Sequence, residues 1–128
     1  MSLKEKIRIL VVDDTATSRG LILNAIQQIG IKNYSSAEDG QDALNNMANT
    51  PYHLVISDYN MPNMDGLGLL KEMRSNPQSQ RTGFIMITGT KDPKVIARGK
   101  ELGMNNYIEK PITLQGLKSC IEAVTGPL

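Results

Sequence analysis

The sequence predicts an α/β protein, with a five-stranded parallel sheet inside a three-layer α/β/α sandwich. Short apolar runs bounded by turn residues alternate with segments of helical periodicity, five times over. Such alternation favours parallel strands joined by right-handed crossovers. The run Ile7-Arg8-Ile9-Leu10-Val11-Val12 is nearly continuous in apolar residues, as expected when helices cover both faces of a sheet. Length decides between a closed and an open sheet. A (β/α)8 barrel takes about 250 residues; this chain has 128, so the sheet is open.

Each element has a local cause. Residues 7–12 read as the first strand. Thr15-Ala16-Thr17-Ser18 offers N-cap chemistry, and Ile22, Ala25, Ile26 and Ile29 follow at helical spacing to a stop at Gly30. Residues 33–36 form a weak second strand. Ser36, Asp39 and Gly40 lead into a helix carrying Ala43, Leu44 and Met47, which ends at Asn49-Thr50-Pro51. Residues 54–57 are the third strand, on β-branched content. Residues 59–66 are a loop, because Pro62 has no amide proton and Asp65-Gly66 is turn chemistry. Leu67, Leu69, Leu70 and Met73 mark a third helix, broken at Asn76-Pro77. Residues 84–87 are the fourth strand, with Gly89 as a tight exit. Asp92-Pro93 opens a fourth helix with Val95, Ile96 and Leu102, ending at Gly103. Residues 107–109 are the fifth strand, and Thr113 caps a last helix with Leu114, Leu117, Ile121 and Val124.

Composition narrows the function. The formal net charge of +1 indicates neither a nucleic-acid surface nor an acidic tail. The single cysteine, Cys120, excludes an intramolecular disulfide framework and reads as a small packing residue in the last helix. The N-terminal apolar run is short and meets acidic residues at once, unlike a signal peptide or a membrane span. There is no linker, repeat or low-complexity tract. The expectation is a cytoplasmic protein with one domain over residues 1–128 and no output domain.

The chemistry lies where the strands stop. The first ends at Asp13-Asp14, the third at Asp58, the fourth at Thr88, and the fifth is followed by Lys110-Pro111. In a parallel sheet the carboxyl ends share one edge, and ligands bind there. Singly, each residue has an ordinary reading as a cap, turn or loop group; together, all at strand ends, they define a site. Three clustered carboxylates repel one another unless a cation neutralises them. Oxygen ligands completed by water suit magnesium or manganese. A carboxylate between a divalent ion and the Lys110 ammonium is equipped for phosphoryl transfer, and Thr88 can donate a hydrogen bond to a phosphoryl oxygen. Asp58 is the best nucleophile, because a central strand would set it between the acidic pair and Lys110. His53 stands alone and reads as structural, and Met61, Met64 and Met73 read as packing. No GxxxxGK[ST], GxGxxG or CxxC motif occurs.

Residues 57–67, Ser57-Asp58-Tyr59-Asn60-Met61-Pro62-Asn63-Met64-Asp65-Gly66-Leu67, are the most specific segment. With the acidic pair, Thr88 and Lys110-Pro111 at their spacing, they make the whole chain resemble the receiver domain of two-component response regulators. The similarity is greatest to single-domain chemotaxis receivers. The resemblance, not the residue pattern, implies a flavodoxin-like strand order of 2-1-3-4-5. It implies that Asp58 accepts a phosphoryl group from a histidine kinase. Asp14, Asp58 and the Asn60 backbone carbonyl would bind the metal, with Asp13 acting mainly through water. Lys110 would contact the phosphoryl group, and its bond to Pro111 would be cis. Thr88 would move toward the phosphoryl oxygen and Tyr107 from an outer to an inner rotamer. The fourth helix, fifth strand and fifth helix would form the face read by a target such as the flagellar motor switch protein. A phosphatase is a further implied partner; nucleic acid and membrane are not, and a monomer is expected.

Three alternatives stand beside this. One is a phosphate sink or phosphorelay intermediate. Another is a free-standing magnesium-dependent phosphohydrolase, which needs a general acid two residues beyond its nucleophile, where this chain has Asn60. The third is a flavin binder, whose phosphate the acidic edge would repel. The receiver reading is of a signalling protein, not an enzyme, catalysing only its own phosphotransfer and autodephosphorylation. The chain departs from the enteric pattern at Gly89-Thr90, where alanine and glutamate are usual, so hydrolysis and phosphatase use are open. Tyr59 replaces a tryptophan beside the acceptor.

Overall fold

The computed structural model describes residues 2–89 and 91–128; Thr90 lies outside the described residues. The strands are β1 (Arg8–Val12), β2 (Asn33–Ala37), β3 (Leu54–Asp58), β4 (Gly83–Thr88) and β5 (Asn106–Glu109). The helices are α1 (Leu3–Lys6), α2 (Ala16–Ile29), α3 (Gly40–Asn49), α4 (Gly66–Ser75), α5 (Pro93–Glu101) and α6 (Leu114–Thr125). All neighbouring strands are parallel, in the order β2-β1-β3-β4-β5. The three-layer fold and the strand order expected from the resemblance are therefore both present.

The continuous apolar runs are buried on both faces. Ile9, Leu10, Val11 and Val12 of β1 are each 0% exposed. Alternate residues feed two cores. Ile9, Val11, Ile56 and Ile85 join the layer of α2 and α6, where Ile22, Ile26, Leu117 and Ile121 pack. Leu10, Val12, Val55 and Met86 join the layer of α3 and α4, with Ala43, Met47, Leu69 and Met73. Registers Val12 to Ser57, Asp58 to Ile87 and Thr88 to Glu109 bring the carboxyl ends of the four strands to one edge.

Four helix starts use their side chains. Asp39, Asp65, Asp92 and Thr113 accept from the amides of Asp42, Gly68, Lys94 and Gly116. Gly30 and Gly103 close α2 and α5 with φ of 101° and 93°, a region glycine enters without strain. One expectation needs correction, and one element is new. Thr15 is the N-cap of α2, but its side chain caps nothing; its own amide donates to Asp13 Oδ1 at 3.0 Å, so the cap belongs to the site. The one-turn α1 was not anticipated. It forms because the Glu5 carboxylate accepts from the Ser2 amide and hydroxyl, a contact too short in range to leave a periodicity.

Candidate functional site

Asp13 directly follows β1 and is fully buried. Its amide donates to Ala37 O at 3.2 Å, its carbonyl accepts from Arg19 at 2.8 Å, and Oδ1 accepts from Thr15. Oδ2 is buried without a partner. Asp14 is exposed beside it. Asp58 ends the central strand β3 and is 5% exposed. Carboxylate oxygens of Asp13, Asp14 and Asp58 lie within 4.8 Å of one another. Lys110 Nζ lies 3.2 Å from Asp58 Oδ1. All three predicted carboxylates and the predicted ammonium therefore meet.

Burial pushes the Asp58 carboxyl above its usual range; the Lys110 hydrogen bond and charge pull it down, while Asp13 and Asp14 push it up. One ammonium thus does not balance the site. A buried carboxylate oxygen without a partner, inside a trio of carboxylates, fits a hard divalent cation. Asp14 and Asp58 open into a polar cleft of about 540 Å³ that Asn60, Gly89 and Lys110 also line.

Thr88 ends β4 at 3% exposure, and its Oγ1 has no hydrogen-bond partner. Its carbonyl accepts from the Lys110 amide at 2.8 Å, which ties β4 to the lysine. Lys110–Pro111 is cis, as the resemblance implied. Met86 pairs with Tyr107 across β4 and β5, so Thr88, two residues on, shares a face with Tyr107. Tyr107 is half-buried against the α3–α4 core cluster.

The other residues singled out have structural places. His53 Nδ1 accepts the Arg8 amide at 3.0 Å. Met61 and Met73 are buried and Met64 is half-buried. Burial pushes the Cys120 thiol up to about 11, which removes the thiolate a nucleophile needs. No helix among the described residues is long and apolar enough to cross a membrane.

Two features escaped sequence reasoning. Arg19 reaches back six residues to Asp13, a link no periodicity signals. Leu21 and Leu114, 61% and 42% exposed, line an apolar cleft of about 460 Å³ that shares Lys110 with the polar one. Their helical stripes read as core faces, and both leucines lie at the margin.

Residues 9–122 match the family model described as response regulator receiver domain. The chain is 46% identical over 128 residues to the probable chemotaxis protein CheY of Rhizobium etli, covering 100% of this chain and 99% of that one. It is 38% identical over 120 residues to chemotaxis protein CheY1 of Helicobacter pylori, covering 93% and 97%. Among solved structures, CheY4 of Vibrio cholerae matches with a TM-score of 0.87 at 29% identity, covering 92% and 98%. The BeF3-activated CheY2–Mg2+ structure from Sinorhizobium meliloti matches with a TM-score of 0.74 at 48% identity, covering 98% of each chain. A family model over most of the chain, similarity along its full length and a shared fold lead to one conclusion: the chain belongs to the response regulator receiver domain family, as a CheY-like member.

Proposed function

We propose that the protein is a magnesium-dependent phospho-acceptor switch of a chemotaxis two-component system, with Asp58 as the acceptor. One observation carries the reading: a buried carboxylate on the central strand, 3.2 Å from an ammonium and within 4.8 Å of two further carboxylates. In the transfer, an Asp58 carboxylate oxygen attacks the phosphorus of a kinase phosphohistidine. The O–P bond forms, the P–N bond breaks, and the imidazole nitrogen keeps the electron pair and later takes a proton. Asp14, Asp58 and the Asn60 carbonyl would hold the ion, with Asp13 acting mainly through water. Magnesium, or manganese in its place, supplies neutralisation of the charge that gathers on the phosphoryl oxygens. The Sinorhizobium relative, solved with Mg2+ and BeF3, supports magnesium as the ion of such a site.

Lys110 exchanges its contact with Asp58 for one with the transferred group. The Thr88 hydroxyl, without a partner beforehand, gains an acceptor only in the phosphorylated state. That differential contact is what a population shift requires. The shared face lets Thr88 movement open space for Tyr107. The face of α5, β5 and α6 then presents a changed surface to the target, and the flagellar motor switch protein is the target that fits a role in chemotaxis. A histidine kinase of chemotaxis type is the donor, and a phosphatase is a further partner.

Labelling with a phosphorylated histidine kinase tests the assignment. One phosphoryl group per chain should appear in the presence of magnesium and vanish in Asp58→Asn. Stoichiometric label persisting in that variant would remove Asp58 as acceptor. Binding of the motor switch protein to the phosphorylated form alone separates a motor regulator from a phosphate sink.

A further inference from the structure

We propose that Arg19 is a positioning residue for the divalent ion, acting through the main chain of Asp13. The inference rests on the reading that Asp13, Asp14 and Asp58 hold magnesium. Asp13 is fixed from three directions. Its amide is bound to Ala37 of β2, its Oδ1 to the Thr15 amide, and its carbonyl to the Arg19 guanidinium at 2.8 Å. What is left is Oδ2, buried and unpartnered, as the one oxygen of this carboxylate free to serve the ion directly or through water. Of the three tethers, only Arg19 contributes a side chain. It is the one link that a side-chain substitution outside Asp13 itself can remove without altering the backbone.

Arg19 is half-buried on the first turns of α2 and has no carboxylate partner among the described residues. Its hydrogen bond goes to a carbonyl, so its charge is not cancelled by a salt bridge. Two effects of opposite sign follow. As a cation beside an acidic trio, Arg19 repels a second cation, and its removal would tighten magnesium binding. As a tether, it holds the β1–α2 turn in the conformation that offers the carboxylates, and its removal would weaken binding. Partners that orient metal ligands are typically worth about 10- to 100-fold in affinity. A full charge at a partly solvated distance is screened to much less. The tether therefore dominates.

The experiment is a magnesium titration of the full, unphosphorylated chain, followed by amide NMR shifts, for wild type, Arg19→Ala, Arg19→Gln and Arg19→Lys. Arg19→Ala is expected to bind about 10-fold more weakly. Arg19→Gln keeps an N–H donor without the charge and should recover part of the loss, as should Arg19→Lys, which keeps both charge and donor. Equal or tighter binding in Arg19→Ala, with normal binding in wild type, overturns the inference alone. If Arg19→Ala does not fold, Arg19→Gln decides: binding tighter than wild type shows that charge, not tethering, was the role. Absence of magnesium binding in wild type would overturn the metal assignment of the trio and the inference with it.

Discussion

Thr88→Val is expected to stabilise the unphosphorylated protein and to disable the proposed switch. The side chain is 3% exposed, and its hydroxyl has no hydrogen-bond partner. A buried hydroxyl left unpaired costs about 1–3 kcal/mol. Valine keeps the branched shape and replaces the hydroxyl with a methyl group, so that cost is recovered without opening a cavity. For a domain of this length, 1 kcal/mol corresponds to roughly 3–5 °C in Tm, so a rise of at least about 3 °C is expected. Thermal and urea denaturation of the two proteins without ligand provide the first comparison. The second repeats them with magnesium and beryllofluoride as the phosphoryl mimic. Wild type gains a hydrogen bond to a charged acceptor, worth about 1.5–3 kcal/mol, and the variant cannot make it. The order of stability should therefore narrow or reverse. A ligand-free variant less stable than wild type would mean that the hydroxyl is satisfied. Equal stabilisation of both by beryllofluoride would mean that Thr88 does not contact the phosphoryl group.

The remaining predictions follow from burial, charge and close approach. Asp58→Asn should be more stable than wild type at neutral pH without divalent ions. Burial raises the Asp58 pKa in the folded state, so stability present below its unfolded value is lost as pH rises through the folded one. The gap should close near pH 4 or below and narrow on adding magnesium; denaturation at several pH values reads it, and a variant no more stable at pH 7 contradicts the argument. Gly66→Ala should cost about 1–3 kcal/mol and slow phosphotransfer, because its Cβ would lie 2.7 Å from Met86 Sδ and 2.9 Å from the Asp58 carbonyl oxygen. Gly89→Ala meets nothing within 4 Å, so it should leave stability unchanged while slowing phosphorylation by a small donor such as acetyl phosphate at the cleft it lines. Arg74→Ala should cost about 2–4 kcal/mol, since its guanidinium holds the carbonyls of Ser79, Gln80, Thr82 and Gly103. Its phosphorylation rate should not change.

Much of this site could be read from the chain because one signal did two jobs. The apolar runs that mark buried strands also stop at the residues that meet, so naming β1, β3 and β4 named Asp13, Asp58 and Thr88 with them. Strand order was a different matter. Alternation implies parallel strands and the hand of each crossover, but nothing in it says that β1 lies between β2 and β3; that came with the family resemblance. Contacts made across the fold left no trace in the pattern. Thr15 has the chemistry of a helix cap, yet its amide serves Asp13. Arg19 looks like any polar residue on a helix, and only the turn of the chain at the sheet edge brings it to a carbonyl six residues back. The missing partner of Thr88 was equally hidden, because a threonine hydroxyl usually finds one.

That missing partner gains meaning beside the other one. Among the described residues, the two buried side-chain atoms without hydrogen bonds are Asp13 Oδ2 and Thr88 Oγ1. They lie at the ends of β1 and β4, the two strands that flank β3 and its Asp58. One is an acceptor suited to a cation, and the other a donor suited to an anionic oxygen. The ligand-free protein thus carries two unpaired polar groups on opposite sides of Asp58, the proposed acceptor, each complementary to one half of a metal–phosphoryl pair. Metal alone can satisfy only the first. The second is reached only when the phosphoryl group is in place, and it sits on the same face of the sheet as Tyr107, diagonally across from it. Metal binding should therefore leave the α5–β5–α6 face unchanged, and only phosphorylation should alter it.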